Sequence, residues 1–354
     1  MTLTQTLLRS PLAAALTTPH GVDRYIELVA PMGVVDEVRA KIVSIHRETS
    51  AGAPVATLTL EPNRRWRGHQ AGQYVQVGVE IDGRRRTRCF SVSSAESKPG
   101  DLITLTMRAN PDGLVSRHLV EDARVGDVLF LSQAQGEFTI PNPLPASVLL
   151  ISGGSGITPV MSILRTLLRR GYGGTIHFVH YAQSPDHQIY EAELRDLPPN
   201  VKVRLLYPEC GDPAYTTEEL RGLVPDHAEL DTWACGPAGL IELVQETYAD
   251  SDRLKVEYFK TSTKPASDVV AEGATSFAVS GKESANEGVP LLEQAEALGL
   301  SPEYGCRMGI CMSCTSRKTE GTVRNVMTGA VSDEPDEDIQ ICVSAAVGDC
   351  TVQL

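Results

Sequence analysis

No run of about 18 apolar residues occurs in the 354-residue chain, so a membrane-spanning helix is not expected. Positive charge is in deficit. The chain carries 32 lysines and arginines against 45 aspartates and glutamates, a net charge of −13. Attraction to phosphate needs the opposite sign, so nucleic acid is not an expected partner. A secretion signal is not expected either: Leu7, Leu8 and Ala13–Leu16 are apolar, but Arg9, Ser10 and Pro11 interrupt them. This stretch reads as a solvated leader, with a short docking helix as the alternative. Internal repeats and low-complexity tracts are missing, which excludes array architectures. The eight histidines supply no H-E-x-x-H zinc motif.

What remains is ordinary globular composition, 42% hydrophobic and 22% charged. The length suggests two or three domains. Eight cysteines are present, at Cys89, Cys210, Cys235, Cys306, Cys311, Cys314, Cys342 and Cys350. An even count invites disulfides, but the chain is long and four of them crowd near its C-terminal end. That clustering favours metal binding in a reducing, cytoplasmic compartment.

Three styles of sequence follow one another behind an N-terminal extension, 1–37. Residues 38–142 read as all-β. Val55–Leu60, Tyr74–Ile81, Cys89–Ser93, Leu102–Met107 and Val128–Leu131 concentrate β-formers, and Asp82-Gly83 is a hairpin signal. Short strands at close spacing predict an antiparallel β-barrel. Residues 143–259 alternate: strands at Val148–Ser152, Thr175–Tyr181, Val201–Tyr207, Asp231–Ala234 and Leu254–Phe259, helices at Pro159–Arg170 and Ala238–Tyr248. That order predicts an α/β doubly wound parallel sheet. A linker over 260–270 leads to a third, α+β unit, 271–354, with a strand pair, a helix over Pro290–Leu298, and the cysteines. It holds 13 acidic and 5 basic residues, a net charge of −8.

Cys306, Cys311 and Cys314 give C-x4-C-x2-C, and Cys342 follows. This is the spacing of a plant-type [2Fe–2S] cluster, for which a short loop wraps three thiolates and a returning strand supplies the fourth. Gly305 and Gly309 in the loop let backbone N–H groups approach the sulfurs. Zinc and buried free thiols compete as readings, but zinc ligands more often come as two short pairs. Cys350 falls outside the set and reads as a small buried hydrophobe. With the stretch Leu291–Leu298 and the loop G-C-R-M-G-I-C-M-S-C, residues 271–354 resemble plant-type ferredoxins. The resemblance implies a β-grasp fold with Cys306, Cys311, Cys314 and Cys342 as metal ligands.

Arg88-Cys89-Phe90-Ser91 resembles the R-x-Y-S flavin motif of the ferredoxin–NADP reductase superfamily. Arg88 suits a flavin phosphate, Phe90 stacks where relatives have tyrosine, and Ser91 reaches flavin N5. Gly113-Leu114-Val115-Ser116 resembles that family's second phosphate segment, with Gly113 and Ser116 as binding residues. A solvated edge arginine and a plain turn are the competing readings. The family implies FAD; FMN occurs in some relatives.

Gly153-Gly154-Ser155-Gly156-Ile157-Thr158-Pro159 follows a buried strand and opens a helix, the context of a dinucleotide phosphate loop. It matches the superfamily's G-G-x-G-x-x-P form, with Gly154, Gly156 and Thr158 as binding residues. Cys235-Gly236-Pro237 resembles its C-G-P motif near the nicotinamide. Ser91 and Cys235 are therefore the expected catalytic residues. Phe259, in Glu257-Tyr258-Phe259, matches an aromatic that covers the flavin; core packing competes equally. Ser184 and Arg204 are candidates for meeting a 2′-phosphate and Asp186 argues against one; a solvated surface explains all three as well, and the expectation leans to NADPH.

The three units make one chain of redox chemistry. A nicotinamide gives two electrons together, a [2Fe–2S] cluster takes one, and a flavin can do both. No general base is required and none is visible. The domain order resembles reductase components of bacterial oxygenases and desaturases. Tyr25-Ile26-Glu27-Leu28 before the barrel looks closest to reductases that serve acyl-CoA desaturases. The expected function is NAD(P)H-dependent electron transfer to a separate oxygenase, foremost an acyl-CoA or fatty acid desaturase. That partner would dock near the acidic ferredoxin unit, and a membrane-bound partner would bring the protein to the inner membrane. Ring-hydroxylating dioxygenases, alkane or steroid hydroxylases and cytochromes P450 stay open as acceptors. Two other classes compete: a non-catalytic electron-transfer subunit of a dehydrogenase complex, and a zinc-stabilised binding module.

Overall fold

The structure, a computed structural model, describes residues 15, 17–18, 22–26, 29–49, 51–111, 113–259, 272–305, 307, 309 and 311–354. It divides into two compact units, Met1–Glu257 and Tyr258–Leu354. Ahead of the first sheet, helix α1 (Val22–Ile26) carries Asp23, whose carboxylate accepts from the Asp36 backbone N–H at 2.8 Å.

Six strands form the first sheet: β1 (Val38–Thr49), β2 (Val55–Pro62), β3 (Tyr74–Ile81), β4 (Arg84–Ser91), β5 (Ile103–Arg108) and β6 (Val128–Leu131), in the order β4-β3-β6-β1-β2-β5. The ends meet where Val92 pairs with Leu105 and the Ser93 N–H donates to the Thr104 carbonyl at 2.8 Å. That contact closes the sheet into a barrel and removes its free edges. Alternating residues fill the inside: Ala40, Ile42, Leu58, Leu60, Val75, Val77, Ile103 and Leu105 are all buried. Asp82 and Gly83 both take positive φ, 51° and 69°, as a two-residue hairpin turn requires.

Two strands differ from expectation. The strand expected at Cys89–Ser93 begins at Arg84, because the arginine stems lie along the sheet. There the Arg85 guanidinium lies 3.4 Å over the Phe130 ring, with Arg39 on the same ring at 3.5 Å. β1 escapes the β-former count because Lys41, His46 and Arg47 break its apolar content, yet it pairs with both β2 and β6.

The second sheet holds β7 (Ser147–Gly153), β8 (Thr175–Tyr181), β9 (Val201–Leu206), β10 (Asp231–Gly236) and β11 (Leu254–Tyr258), ordered β11-β10-β7-β8-β9. Strands β10, β7, β8 and β9 pair in parallel. The chain runs outward from β7 one way through β8 and β9, then returns to β10 on the other side. The carboxyl ends of β7 and β10 therefore flank a topological switch point, where open α/β sheets bind ligands. The connecting helices are α2 (Leu114–Arg117) in the barrel, then α3 (Ile157–Arg169), α4 (Glu191–Arg195), α5 (Thr217–Leu223) and α6 (Ala238–Thr247). Helix α3 starts two residues before the expected Pro159, since proline is tolerated within a first turn. The short helices α4 and α5 are too brief to show periodicity in the sequence. One core joins helix and barrel: Val160, Ile163 and Leu164 share it with Ala71 and Phe138.

Polar bonds fix the same junction. The Ser162 hydroxyl donates to the Ser94 carbonyl at 2.6 Å, and the Glu96 N–H donates to the Thr166 hydroxyl at 2.8 Å. Arg165 donates to the Ser93 carbonyl at 2.6 Å and grips Glu193 through two nitrogens, at 2.8 and 2.5 Å.

The second unit is a mixed sheet of β12 (Ala274–Phe277), β13 (Lys282–Ala285), β14 (Thr315–Asn325), β15 (Val331–Ser332), β16 (Glu337–Gln340) and β17 (Ser344–Val352), ordered β13-β12-β17-β14-β15, with β16 also on β14. Only β12–β17 is parallel among the described pairings. Helix α7 (Leu291–Ala297) buries Leu291, Leu292 and Ala295. Leu291 and Leu292 share a core with Val343, Ala346 and Val352, a β-grasp arrangement. Lys318, fully buried, donates to the Gly321 and Glu334 carbonyls at 2.8 and 2.6 Å.

Arg165→Ala removes a largely buried charge that makes three hydrogen bonds to two partners. Hydrogen bonds to charged groups are worth about 1.5–3 kcal/mol each, so the melting temperature of the first unit is expected to fall by roughly 5 °C or more. Differential scanning calorimetry checks this; an unchanged transition means the junction does not depend on Arg165.

Candidate functional site

Strand β4 ends in the expected flavin motif. Ser91 is buried and pairs across the ladder with Tyr74. Its Oγ has no hydrogen-bond partner among the described residues. A buried hydroxyl left unpaired costs about 1–3 kcal/mol, so its retention points to a missing polar ligand. Phe90 is half-buried against the barrel core. Arg88 is half-buried, and its Nη1 donates to the Thr87 carbonyl at 2.7 Å. Helix α2 lies against β4 and β5, which brings Gly113–Ser116 into the same neighbourhood. The Asn110 N–H donates to the Ser116 hydroxyl at 3.1 Å, and a Cβ on Gly113 would stand 2.7 Å from that hydroxyl. A side chain at position 113 would displace the Ser116 hydroxyl.

The nicotinamide motifs meet at the switch point. Cys235 pairs with Ser152 across β10 and β7. Gly154 takes φ +52°, and a Cβ on Gly156 would lie 2.3 Å from the Cys235 carbonyl oxygen. The phosphate loop therefore packs backbone to backbone on Cys235-Gly236, and Gly236 itself is buried. The Thr158 hydroxyl donates to the Ser155 carbonyl at 3.1 Å, closing the first turn of α3. Pro237 precedes α6, and its ring crowds the Cβ position of Gly153 at 2.9 Å. Burial pushes the Cys235 thiol well above its ordinary value, and Glu257 adds to this.

Two further residues stand at this site: Glu257, which opens the Glu257-Tyr258-Phe259 segment but was assigned no role, and Arg108, which lies in no motif. Glu257 on β11 is buried, its Oε2 has no partner among the described residues, and burial pushes its carboxyl up to about 8. It is a protonatable group beside Cys235, where the sequence showed no acid or base. Arg108 ends β5 with its Nε buried and unpartnered, and burial lowers its pKa. Its Nη2 lies 3.9 Å from the Cβ position of Gly154. That places a guanidinium from the barrel beside the phosphate loop, as a bound diphosphate would require. The alternation along Ile103–Arg108 was the available clue, since it puts Arg108 at the strand end. Phe259 stands just past β11 and is exposed, so the core-packing alternative does not hold for it.

In the second unit, Cys306 lies outside the described residues. Cys311, Cys314 and Cys342 are free thiols, the last two buried. A hydrogen bond from Cys342 holds the Cys314 thiol below its ordinary value. Cys342 sits in the turn between β16 and β17, rather than on a strand. No three ligating side chains form a ready metal group among the described residues. The Cys314–Cys342 pair nonetheless matches what a four-thiolate, two-iron cluster needs at each iron. The loop is shaped for it: Arg307, Gly309 and Met312 take positive φ, and a Cβ on Gly305 would lie 2.7 Å from the Cys311 sulfur. Arg307 stacks 3.8 Å over Tyr304 and donates to Glu296 of α7 at 3.0 Å, which anchors the loop to the helix. Cys350 is buried in the core, and burial pushes its thiol up to about 11.

Three family models match the chain in sequence order. An oxidoreductase FAD-binding domain matches residues 41–140, an oxidoreductase NAD-binding domain residues 150–246, and a 2Fe-2S iron-sulfur cluster binding domain residues 278–347. An NADPH oxidoreductase of Mycobacterium tuberculosis is 37% identical over 97% of this chain and 91% of its own length. The chain belongs to the ferredoxin–NADP reductase superfamily, in the branch with a 2Fe-2S ferredoxin domain. The NADH oxidoreductase HCR of Escherichia coli is 32% identical, over 81% of this chain and 89% of that one. A glycine betaine monooxygenase reductase subunit of Chromohalobacter salexigens is 29% identical, over 75% and 82%. Phthalate dioxygenase reductase shares the fold, with a TM-score of 0.62 and 21% identity over 90% of this chain and 98% of that one. This reductase is thus an NAD(P)H-dependent oxidoreductase with flavin, nicotinamide and [2Fe–2S] domains. No helix among the described residues is long and apolar enough to cross a membrane.

Glu257 makes stability depend on pH. Its carboxyl titrates near 8 when folded and near 4.5 when unfolded, so the unfolded chain loses its proton first as pH rises. The contribution is complete below pH 4.5 and is lost as pH climbs through about 8. Melting temperature should fall across that window, and Glu257→Gln should flatten the fall. Equal slopes in both proteins would remove this assignment.

Proposed function

We propose that the reductase takes an electron pair from NAD(P)H at the switch point and delivers single electrons, by way of its ferredoxin unit, to a separate terminal oxygenase. The observation that carries this is the partnerless Ser91 hydroxyl, on a strand whose following loop is bonded to the helix that carries the phosphate loop. A bound flavin supplies the conversion between paired and single electrons. Arg88, Gly113 and Ser116 hold its phosphate, Phe90 lies along its ring system and Ser91 Oγ bonds at the ring. Gly154, Gly156 and Thr158 cradle the nucleotide diphosphate at the start of α3, with Arg108 opposite. Cys235, Gly236 and Pro237 wall the nicotinamide, and Glu257 behind Cys235 keeps that wall dry and uncharged at neutral pH. Cys306, Cys311, Cys314 and Cys342 ligate the cluster.

The domain limits 38–142, 143–259 and 271–354 go with this reading. So does an acyl-CoA or fatty acid desaturase as acceptor, supported by the resemblance of the stretch at Tyr25. The acidic surface of the ferredoxin unit suits a basic patch on that partner, in the cytoplasm or at the inner membrane.

Anaerobic titration with NAD(P)H tests the core of the reading. The purified protein should show flavin and iron–sulfur absorption that the nucleotide bleaches; a colourless zinc protein would sink it. Cys311→Ser should abolish reduction of a one-electron acceptor while flavin reduction persists. Arg88→Ala should weaken flavin retention on gel filtration by at least tenfold, given about 1.5–3 kcal/mol for a charged hydrogen bond. Full retention would remove Arg88 from the site.

A further inference from the structure

Each turnover leaves a proton to be discharged. A hydride carries two electrons and one hydrogen nucleus to the flavin ring, and two single electrons then depart. One proton per cycle must therefore leave the place where the hydride arrives, which the proposed flavin contact sets at Ser91. Ser91 is buried, so that proton needs a path. The nicotinamide side offers a poor acceptor: Cys235 is fully buried, and burial keeps Glu257 protonated at neutral pH.

A row of hydroxyls crosses the barrel from that point. Val92 pairs with Leu105 in antiparallel sense, and the same register sets Ser91 opposite Thr106. Side chains opposite each other on neighbouring strands have Cβ atoms about 4.5–5.5 Å apart, within reach of one hydrogen bond. Thr106 pairs with Thr57, and their hydroxyl oxygens lie 2.6 Å apart. The Thr57 hydroxyl donates to Glu48 Oε1 at 2.5 Å. The Ser93 hydroxyl joins from the side, 3.1 Å from that of Thr106. A carboxylate can only accept, so Glu48 sets the direction of the whole row. Thr57 donates to it, and the Thr57 oxygen then accepts from Thr106. The Thr106 oxygen keeps two lone pairs, one for Ser93 and one for Ser91. Tyr190 roofs the row: it is buried beside Ser93 and Thr106, its N–H donates to Glu48 Oε2 at 3.2 Å, and Arg165 lies 4.5 Å over its ring. At the outer end a cavity of about 530 Å³ opens, lined by His46, Glu48, Thr57, Thr104 and Arg165 among others. Such polar walls suit water. His46, which pairs with Thr57 across β1 and β2, is exposed there.

We propose that Ser91, Thr106, Thr57 and Glu48 form a proton exit from the flavin site to the cavity beside His46. Ser91 Oγ takes the proton from the ring and passes its own to Thr106. Thr106 protonates Thr57, Thr57 protonates Glu48, and Glu48 releases a proton to water in the cavity. Each hydroxyl gains one proton and loses one, and no electron moves along the row. Glu48, once deprotonated, restores the direction of the hydrogen bonds. This rests on the reading of Ser91 as the hydroxyl that faces the flavin, and it adds the route by which that site returns to its starting protonation.

The test uses the full-length protein with its cofactors, reduced anaerobically with one equivalent of NAD(P)H and mixed rapidly with ferricyanide in a pH-indicator solution. Two ferricyanide ions take the two electrons, and one proton is released. In Thr57→Val that release should slow by about tenfold or more, while bleaching by NAD(P)H keeps its rate. Thr57→Ser, which keeps the hydroxyl, should restore it. Glu48→Gln should slow release as Thr57→Val does. Thr59→Val, one pair along the same ladder and outside the row, should not. Release at the unaltered rate in both Thr57→Val and Glu48→Gln would overturn the proposal. Slowing in Glu257→Gln alone would overturn it too, by putting the exit behind Cys235. Both of those results leave the reductase reading intact. If NAD(P)H does not bleach the unaltered protein, that broader reading fails and takes this one with it.

Discussion

Hydride chemistry between two bound ring systems needs them held at contact distance, and here one helix supplies the constraint. The same α3 that begins at the phosphate loop carries Ser162, Arg165 and Thr166 along one side. All three bond to the loop Ser93–Glu96, which leaves the barrel two residues after Ser91. The loop that follows β4 and the glycine loop that opens α3 are thereby tied to one rigid helix. Effective concentration between reacting groups depends on such rigidity, because small misplacements are costly. The shared apolar core beneath these bonds makes barrel and sheet one compact unit.

Three of the buried polar atoms that lack a partner among the described residues lie near the flavin and nucleotide motifs. Ser91 Oγ, Arg108 Nε and Glu257 Oε2 are buried with no partner among the described residues, on three different strands. Buried polar atoms in a folded protein are almost always satisfied. Exceptions that lie between a flavin strand and a phosphate loop mark a site completed by other molecules. The close backbone contact of Gly156 with Cys235 follows the same logic, since a side chain there would hold the two walls apart.

Much of this was legible in the chain. The cysteine spacing, the glycine loop after an apolar strand and the Arg88–Ser91 tetrapeptide are local signals, because each ligand group needs several donors from one short segment. The barrel strands with clean alternation were legible for the same reason. β1 was not, since Lys41, His46 and Arg47 interrupt the apolar alternation that marks a strand. Helices α4 and α5 were too short to display a period. The start of β4 was hidden by three consecutive arginines, of which Arg85 turns out to lie over Phe130.

The chain alone therefore determined which cofactors this reductase is built for and in what order its units come. Those properties reside in contiguous motifs whose chemistry needs no distant neighbour. Tertiary structure decided which separate segments come together: Arg108 with Gly154, and Glu257 with Cys235. Each of those pairs joins strands or turns that are neighbours only after the sheets form. Burial, which gives Glu257 its high pKa and leaves Ser91 without a partner, exists only in the folded chain.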